Sequence, residues 1–181
     1  MENIVLYCKS FRRDIELVKR LVDSVNQFNH DNIPFYLSVP RLDLQIFKSL
    51  NLKNIILIED ELVYEGNASG WMQQQIVKSL FYKLGKSKNW VCIDSDAFFI
   101  KPFFISDFIY EDDIPYTVIH EQKELFSWTA INSNILGFDP KESFILDRKK
   151  IMEVFNRSSK IYDFGPSPVI WSSKVWIDLE K

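Results

Sequence analysis

Asp94 and Asp96 stand one residue apart in "VCIDSDAFFI", Val91 to Ile100, a stretch otherwise apolar except for Ser95. Two carboxylates at that spacing suit a hard divalent cation, because Mg²⁺ keeps several waters and takes one or two protein carboxylates together with substrate phosphates. In an extended chain the two side chains point to opposite faces, so both can reach one ion only if the backbone turns at Ser95. The apolar residues Ala97, Phe98, Phe99 and Ile100 follow at once. They suggest acids that interrupt a buried segment, where unpaired charge is costly and a cation relieves the cost. The plainer alternative makes Asp94 a strand-end cap and Asp96 a turn residue.

Elements that could position this pair are legible upstream. "NIVLYC" (Asn3 to Cys8) reads as a strand. From Asp14 to Phe28, apolar residues recur at Ile15, Val18, Leu21, Val22, Val25 and Phe28, the spacing of one helix face. "PFYLSVP" (Pro34 to Pro40) reads as a second strand, "LDLQIFKSL" (Leu42 to Leu50) as a short helix and "NIILIED" (Asn54 to Asp60) as a third strand. "WMQQQIVKSLFYKLG" then predicts a helix with Gly85 at its C-cap, and "WVCID" a fourth strand. Such alternation implies βαβ units with right-handed crossovers: an α/β fold with a mostly parallel central sheet and helices on both faces. Ligands of these sheets bind outside the carboxyl ends of the strands, which is where the acid pair falls. Farther on, "PYTVIH" (Pro115 to His120) predicts a strand, "RKKIMEVFNR" (Arg148 to Arg157) a helix, and "SPVIWSSKVWIDLEK" a strand or turn entering a last helix.

The composition narrows the function classes. With 181 residues, 46% hydrophobic and only five glycines, the chain can bury a core, and length gives no reason to divide it, so residues 1–181 are taken as a single domain. A net charge of −3 with both signs interspersed offers no basic stripe for a nucleic acid. No apolar run is long enough to span a membrane and no secretory leader opens the sequence, which makes the cytoplasm the expected compartment. Cys8 and Cys92 fall inside strand-like runs and read as buried thiols.

Two families share features with this chain. Phosphatases of the haloacid-dehalogenase type also place D-x-D after a strand, but their nucleophilic loop lies near the N-terminus and continues with a small polar residue, unlike Ala97-Phe98. The better match is longer. "GWMQQQIVKSLFYKLGKSKNWVCIDSDAFFIKPF", Gly70 to Phe103, resembles the nucleotide-sugar-binding half of glycosyltransferases of the Rossmann-like GT-A type. It is similar in particular to a group of uncharacterised bacterial glycosyltransferase-like proteins with a GW-x-x-Q-Q-x-x-K helix and D-S-D-x-x-F-x-x-P-F. "ILGFDP" and "PSPVIWSS" resemble later segments of that group.

The resemblance implies a metal-dependent transferase that moves a sugar from a UDP- or GDP-sugar to a glycan or polysaccharide acceptor, with Mn²⁺ or Mg²⁺ as cofactor. Asp96 is then the direct metal ligand, and Asp94 contacts the ribose or a metal-bound water. Ser95 is a donor contact, and His120 is a further candidate metal ligand or else a packed histidine. Gln74 and Lys78 share a helix face at i, i+4. With Gln75 they are expected at the donor hydroxyls and phosphates, the alternative being a solvated helix face. Trp71 either stacks on sugar or base or plugs the core. Tyr7, Ser10 and Arg13, at the carboxyl end of the first strand, are candidates for base, ribose and phosphate, although Arg13 could equally pair with Asp14 or Glu16. Glu121 and Asp163 are available as a catalytic base, with no spacing argument for either. Related transferases continue past the last helix, so the expectation is a chain truncated or shortened on the acceptor side. The alternative reading is a truncated or inactive relative that binds a nucleotide-sugar without transfer.

Overall fold

The computed structural model describes residues 1–66, 68, 70–117, 119–121, 140–154, 156–158, 162–164 and 168–181. In chain order the elements are β1 (Glu2–Lys9), α1 (Ile15–Phe28), β2 (Phe35–Val39), α2 (Leu44–Ser49), β3 (Ile56–Glu59), α3 (Gly70–Ser79) and β4 (Ser87–Ile93). Then follow β5 (Ile109–Glu111), β6 (Ile114–Pro115), β7 (Ile119–Glu121), α4 (Pro140–Val154), β8 (Tyr162–Phe164), β9 (Val169–Ser172) and α5 (Ser173–Leu179). The chain divides into two compact units, Met1–Tyr116 with Ser167–Lys181, and Thr117–Pro166.

The first unit is the α/β fold. Its five-stranded sheet has the order β3-β2-β1-β4-β9, with β1 parallel to both β2 and β4, β2 parallel to β3, and β9 antiparallel at the edge beside β4. Side-chain alternation along each strand feeds two cores. Ile4, Leu6 and Cys8 of β1 face the cluster that includes Val18, Leu21, Val22 and Val25 of α1 and Phe47 of α2. Val5 and Tyr7 face the opposite cluster, with Phe81 and Tyr82 from the turn after α3, Trp90, and Trp176 of α5 at its margin. Helices therefore cover both faces, and β1 and β2 are buried throughout most of their length, as central parallel strands must be. Gly85 takes φ 60°, a left-handed geometry that favours glycine, and its N–H donates to the Tyr82 carbonyl at 2.9 Å.

Two elements differ from the sequence reading. "PYTVIH" is not one strand: β6 pairs with β5 in a hairpin, whereas β7 pairs with β8 in the second unit. Pro115 has no N–H to carry a ladder onward, and the boundary between the units falls just after it. α4 begins at Pro140, eight residues before the expected start, because proline is well suited to the first helical turn. It stops short of Arg157, where Asn156 takes φ 49°. Within the second unit the structure describes β7 and β8 as an antiparallel pair and α4 as a helix.

Candidate functional site

The chain turns where β4 ends. The Ala97 N–H donates to the Asp94 carbonyl at 3.1 Å, so Asp94 to Ala97 form the reverse turn that a shared ion would require. The acids themselves are not buried as their apolar neighbours suggested. Asp94 keeps 40% of its side chain exposed, and Asp96 is exposed. After the turn the segment alternates. Phe99 and Phe103 stack at 3.9 Å against the α1 core, while Phe98 is 61% and Ile100 79% exposed. The Ser24 hydroxyl of α1 accepts the Phe99 N–H at 3.0 Å and fixes that register.

Two contacts hold the turn. Lys78, buried on α3, donates a charged hydrogen bond to Asp94. Burial pushes the Lys78 ammonium down, but Cys92 and the hydrogen bond to Asp94 more than offset it, so its pKa lies above the ordinary lysine value. Cys92 is itself pushed up to about 12 by burial and is a neutral thiol at pH 7. The Asp94 carboxylate is the charged partner of Lys78 there. Second, the buried Ser95 hydroxyl donates to Asp14 at the start of α1, at 3.1 Å. Asp14 was not singled out from the sequence, where it was weighed only as a partner of Arg13.

A second lysine–aspartate pair lies on the same face. Odd positions of β1 and even positions of β2, β3 and β4 point toward α3. Lys9, Ser38, Asp60 and Asp94 thus form a polar layer at the carboxyl ends of the strands, above the aromatic core. Lys9 lies 3.2 Å from Asp60, and Ser38 donates a short hydrogen bond to the other Asp60 oxygen. Burial raises the Asp60 pKa, and Lys9 and Ser38 recover only part of that shift. The sequence reading missed this pair. The period-2 alternation that placed Tyr7 on that face would have placed Lys9 there too.

The remaining candidates are spread unevenly. Tyr7 is wholly buried, stacked on Phe81 at 4.2 Å, and Ser10 is buried as well, its N–H donating to the Ser38 carbonyl, so neither presents a surface to a ligand. Arg13 is exposed and makes no ion pair among the described residues; Glu16 pairs instead with Lys19, and the neighbouring Arg12 with the buried Asp43 at 2.6 Å. Trp71 is 69% exposed and is no core plug. Gln74 and Gln75 are half-buried on α3, the helix that carries Lys78. His120, Glu121 and Asp163 belong to the second unit, and their side chains lie outside the described residues.

Two cavities open near the carboxyl ends of the strands. A polar one of about 650 Å³ opens on the β2–β3 side, lined by Arg41, Glu61 and Tyr64 and by Gln73 of α3. An apolar one of about 420 Å³ begins at Ala97 and reaches Pro168. No group of three or more Asp, Glu, His or Cys suited to a metal exists among the described residues.

Residues 4–160 match the model of a family described as "Family of unknown function (DUF6492)". The chain belongs to that family. Among curated proteins none matches the sequence. Among solved structures, the apo form of the bifunctional glycosyltransferase WbbM is similar at a TM-score of 0.55 and 11% identity, covering 98% of this chain and 32% of WbbM. At that identity the likeness establishes the fold, a Rossmann-like α/β fold of the kind found in glycosyltransferases. TarS residues 1–349 from S. aureus are similar over 54% of this chain and 28% of that one, at a TM-score of 0.35 and 16% identity, too slight a likeness to argue from. This member of DUF6492 spans about a third or less of the length of these structures. Among its described residues no helix is long and apolar enough to cross a membrane.

Proposed function

We propose that this chain is a metal-dependent glycosyltransferase that takes a sugar from a UDP- or GDP-linked donor and passes it to a glycan or polysaccharide acceptor. The observation that supports it most is the acid turn itself: Asp94 held by a buried lysine, and Asp96 in solvent, at the carboxyl end of β4. That position is beside the switch point of the sheet, where β1 is flanked by β2 on one side and β4 on the other and a crevice opens for ligands.

In this reading Asp96 binds Mn²⁺ or Mg²⁺ against the donor diphosphate, and Asp94 orients a metal-bound water or the ribose. Bound there, the divalent ion would stabilise the negative charge that grows on the departing nucleoside diphosphate. Lys78 fixes the Asp94 carboxylate from below, and Asp14 fixes the turn through Ser95. Arg13, exposed beyond the end of β1, is available to the phosphates, and Gln74, Gln75 and Trp71 to the donor sugar or base. Tyr7 and Ser10 act as the floor under the nucleoside rather than as direct contacts.

The test is incubation of the chain with a panel of UDP- and GDP-sugars and Mn²⁺, with nucleoside diphosphate release as readout. Slow release that stops with EDTA and in Asp96→Ala is expected. Metal-dependent nucleotide binding with no release from any donor would favour the binding-only relative. Phosphate release from simple monoesters would favour a phosphatase.

A further inference from the structure

We propose that the apolar cavity beside the acid turn takes the apolar carrier of the acceptor, a long uncharged alkyl or isoprenoid chain to which the acceptor sugar is attached. This inference rests on the reading of Asp94 and Asp96 as the donor site, and it names the acceptor class for that site.

Position is the first argument. β9 runs antiparallel to β4 with Val169 opposite Cys92, which delivers Pro168 to the carboxyl end of β4, next to the turn. The cavity lies between Pro168 and Ala97, and Ala97 is the residue that closes the Asp94 turn. The polar cavity lies on the other side, over β2 and β3. In a nucleotide-sugar the transferred sugar is attached beyond the diphosphate, on the side away from the nucleoside. The cavity lining of Ile93, Phe99, Phe103 and Phe108 belongs to the core on the α1 side, and Ala97 joins it to the turn, so an acceptor carried there would lie beside the diphosphate of the proposed donor site.

Chemistry is the second. Phe103 and Phe108, both buried, line the cavity, and Phe98 and Ile100 form an exposed lip. Its charged lining is one lysine, Lys101, and one aspartate, Asp107, whose carboxylate also accepts the Phe104 N–H at 2.8 Å. The charges cancel, which suits neither a phosphate nor a cation and leaves an uncharged apolar chain as the matching occupant. A volume of about 420 Å³ falls in the usual range for small-molecule sites. Large exposed apolar side chains grouped at such a cavity mark a binding surface rather than the scattered exposure normal for monomers.

The experiment is calorimetric titration of the full chain with hexyl, octyl and decyl β-glucosides below their micelle-forming concentrations, without donor or metal. Affinity is expected to rise with chain length, up to roughly fourfold for each fully buried methylene. Phe98→Glu and Ile100→Glu, which change exposed side chains and should leave the circular dichroism spectrum intact, are expected to abolish the chain-length dependence, and Asp96→Ala to preserve it. Affinity indifferent to chain length overturns the inference. So does self-association in sedimentation that Phe98→Glu abolishes, or binding to neutral phosphatidylcholine vesicles that the glucosides do not compete away. If the glucosides fail while nucleotides bind with Mn²⁺, the donor reading stands without this one; if nucleotides fail and the glucosides bind, the donor reading is the one lost.

Discussion

Lys9 and Lys78 are buried lysines on the same face of one sheet, and each holds an aspartate that follows a strand, yet the two acids meet different surroundings. Asp60 is fully buried, with Lys9 at one oxygen and Ser38 at the other. Asp94 has its lysine but stays half-exposed, and its neighbour Asp96 stands in solvent. The first pair is closed and can do little but hold β1, β2 and β3 together at their carboxyl ends. The second is anchored from below and open above, which is how a carboxylate can be kept in place and still be offered to a ligand. The exposure of the acid therefore separates the two pairs.

The comparison breaks most visibly at Asp60. Asp60→Ala leaves Lys9 buried without a counter-charge and should cost about 3–5 kcal/mol of stability, measured as a shift in the urea midpoint. Lys78→Met is the matched change at the open pair. Water can solvate the abandoned Asp94, so the stability loss should be about 1 kcal/mol or less. The same variant should weaken metal-dependent nucleotide binding roughly 10- to 100-fold, as loss of a residue that orients a ligating group does. Equal destabilisation at the two lysine–aspartate pairs would erase the distinction drawn between them.

A finer test uses pH. Burial raises the Asp60 pKa above its ordinary value of 3.8, so in acid the folded chain retains a proton that the unfolded chain has released. Stability contributed by this group therefore falls as pH rises from about 3.8 through the folded value, and is level above it. In urea denaturation across acidic pH, the difference in slope between the parent and Asp60→Asn should carry that sign; no difference would mean that Asp60 titrates as it does in the unfolded chain.

Much of the fold was legible because the signals are periodic. β1 to β4 and α1 and α2 fall within a few residues of their expected positions, whereas α3 ends at Ser79 and a 3-10 turn, Leu80–Leu84, carries the chain on to Gly85. The hairpin of β5 and β6 escaped notice because strands of three and two residues carry almost no pattern, and its turn residue Asp112 reaches φ 49° without a glycine to announce it. At the site, a turn at Ser95 was expected only as the condition for sharing one ion, and Lys78 was read as a donor-phosphate contact or a solvated face, whereas it is buried against Asp94. The exposure of Asp96 was not expected. An apolar run such as Ala97 to Ile100 reads as buried in one dimension, and only the docking of Phe99 and Phe103 on α1 decides that Phe98 and Ile100 face outward. Lys9 with Asp60 and Asp14 with Ser95 join residues 51 and 81 positions apart, well beyond the reach of local periodicity.

The central claim is that Asp96 presents a metal to a nucleoside diphosphate. The most direct measurement is calorimetric titration of UDP and GDP into the parent chain and into Asp96→Ala, each with Mn²⁺ and again with EDTA. Because Asp96 is exposed, the variant should keep its stability to within about 0.5 kcal/mol. The account predicts binding of one of the two nucleotides by the parent with Mn²⁺, lost with EDTA and lost in the equally well folded variant. Binding that survives both EDTA and the substitution would contradict it and leave the turn at the end of β4 a structural one.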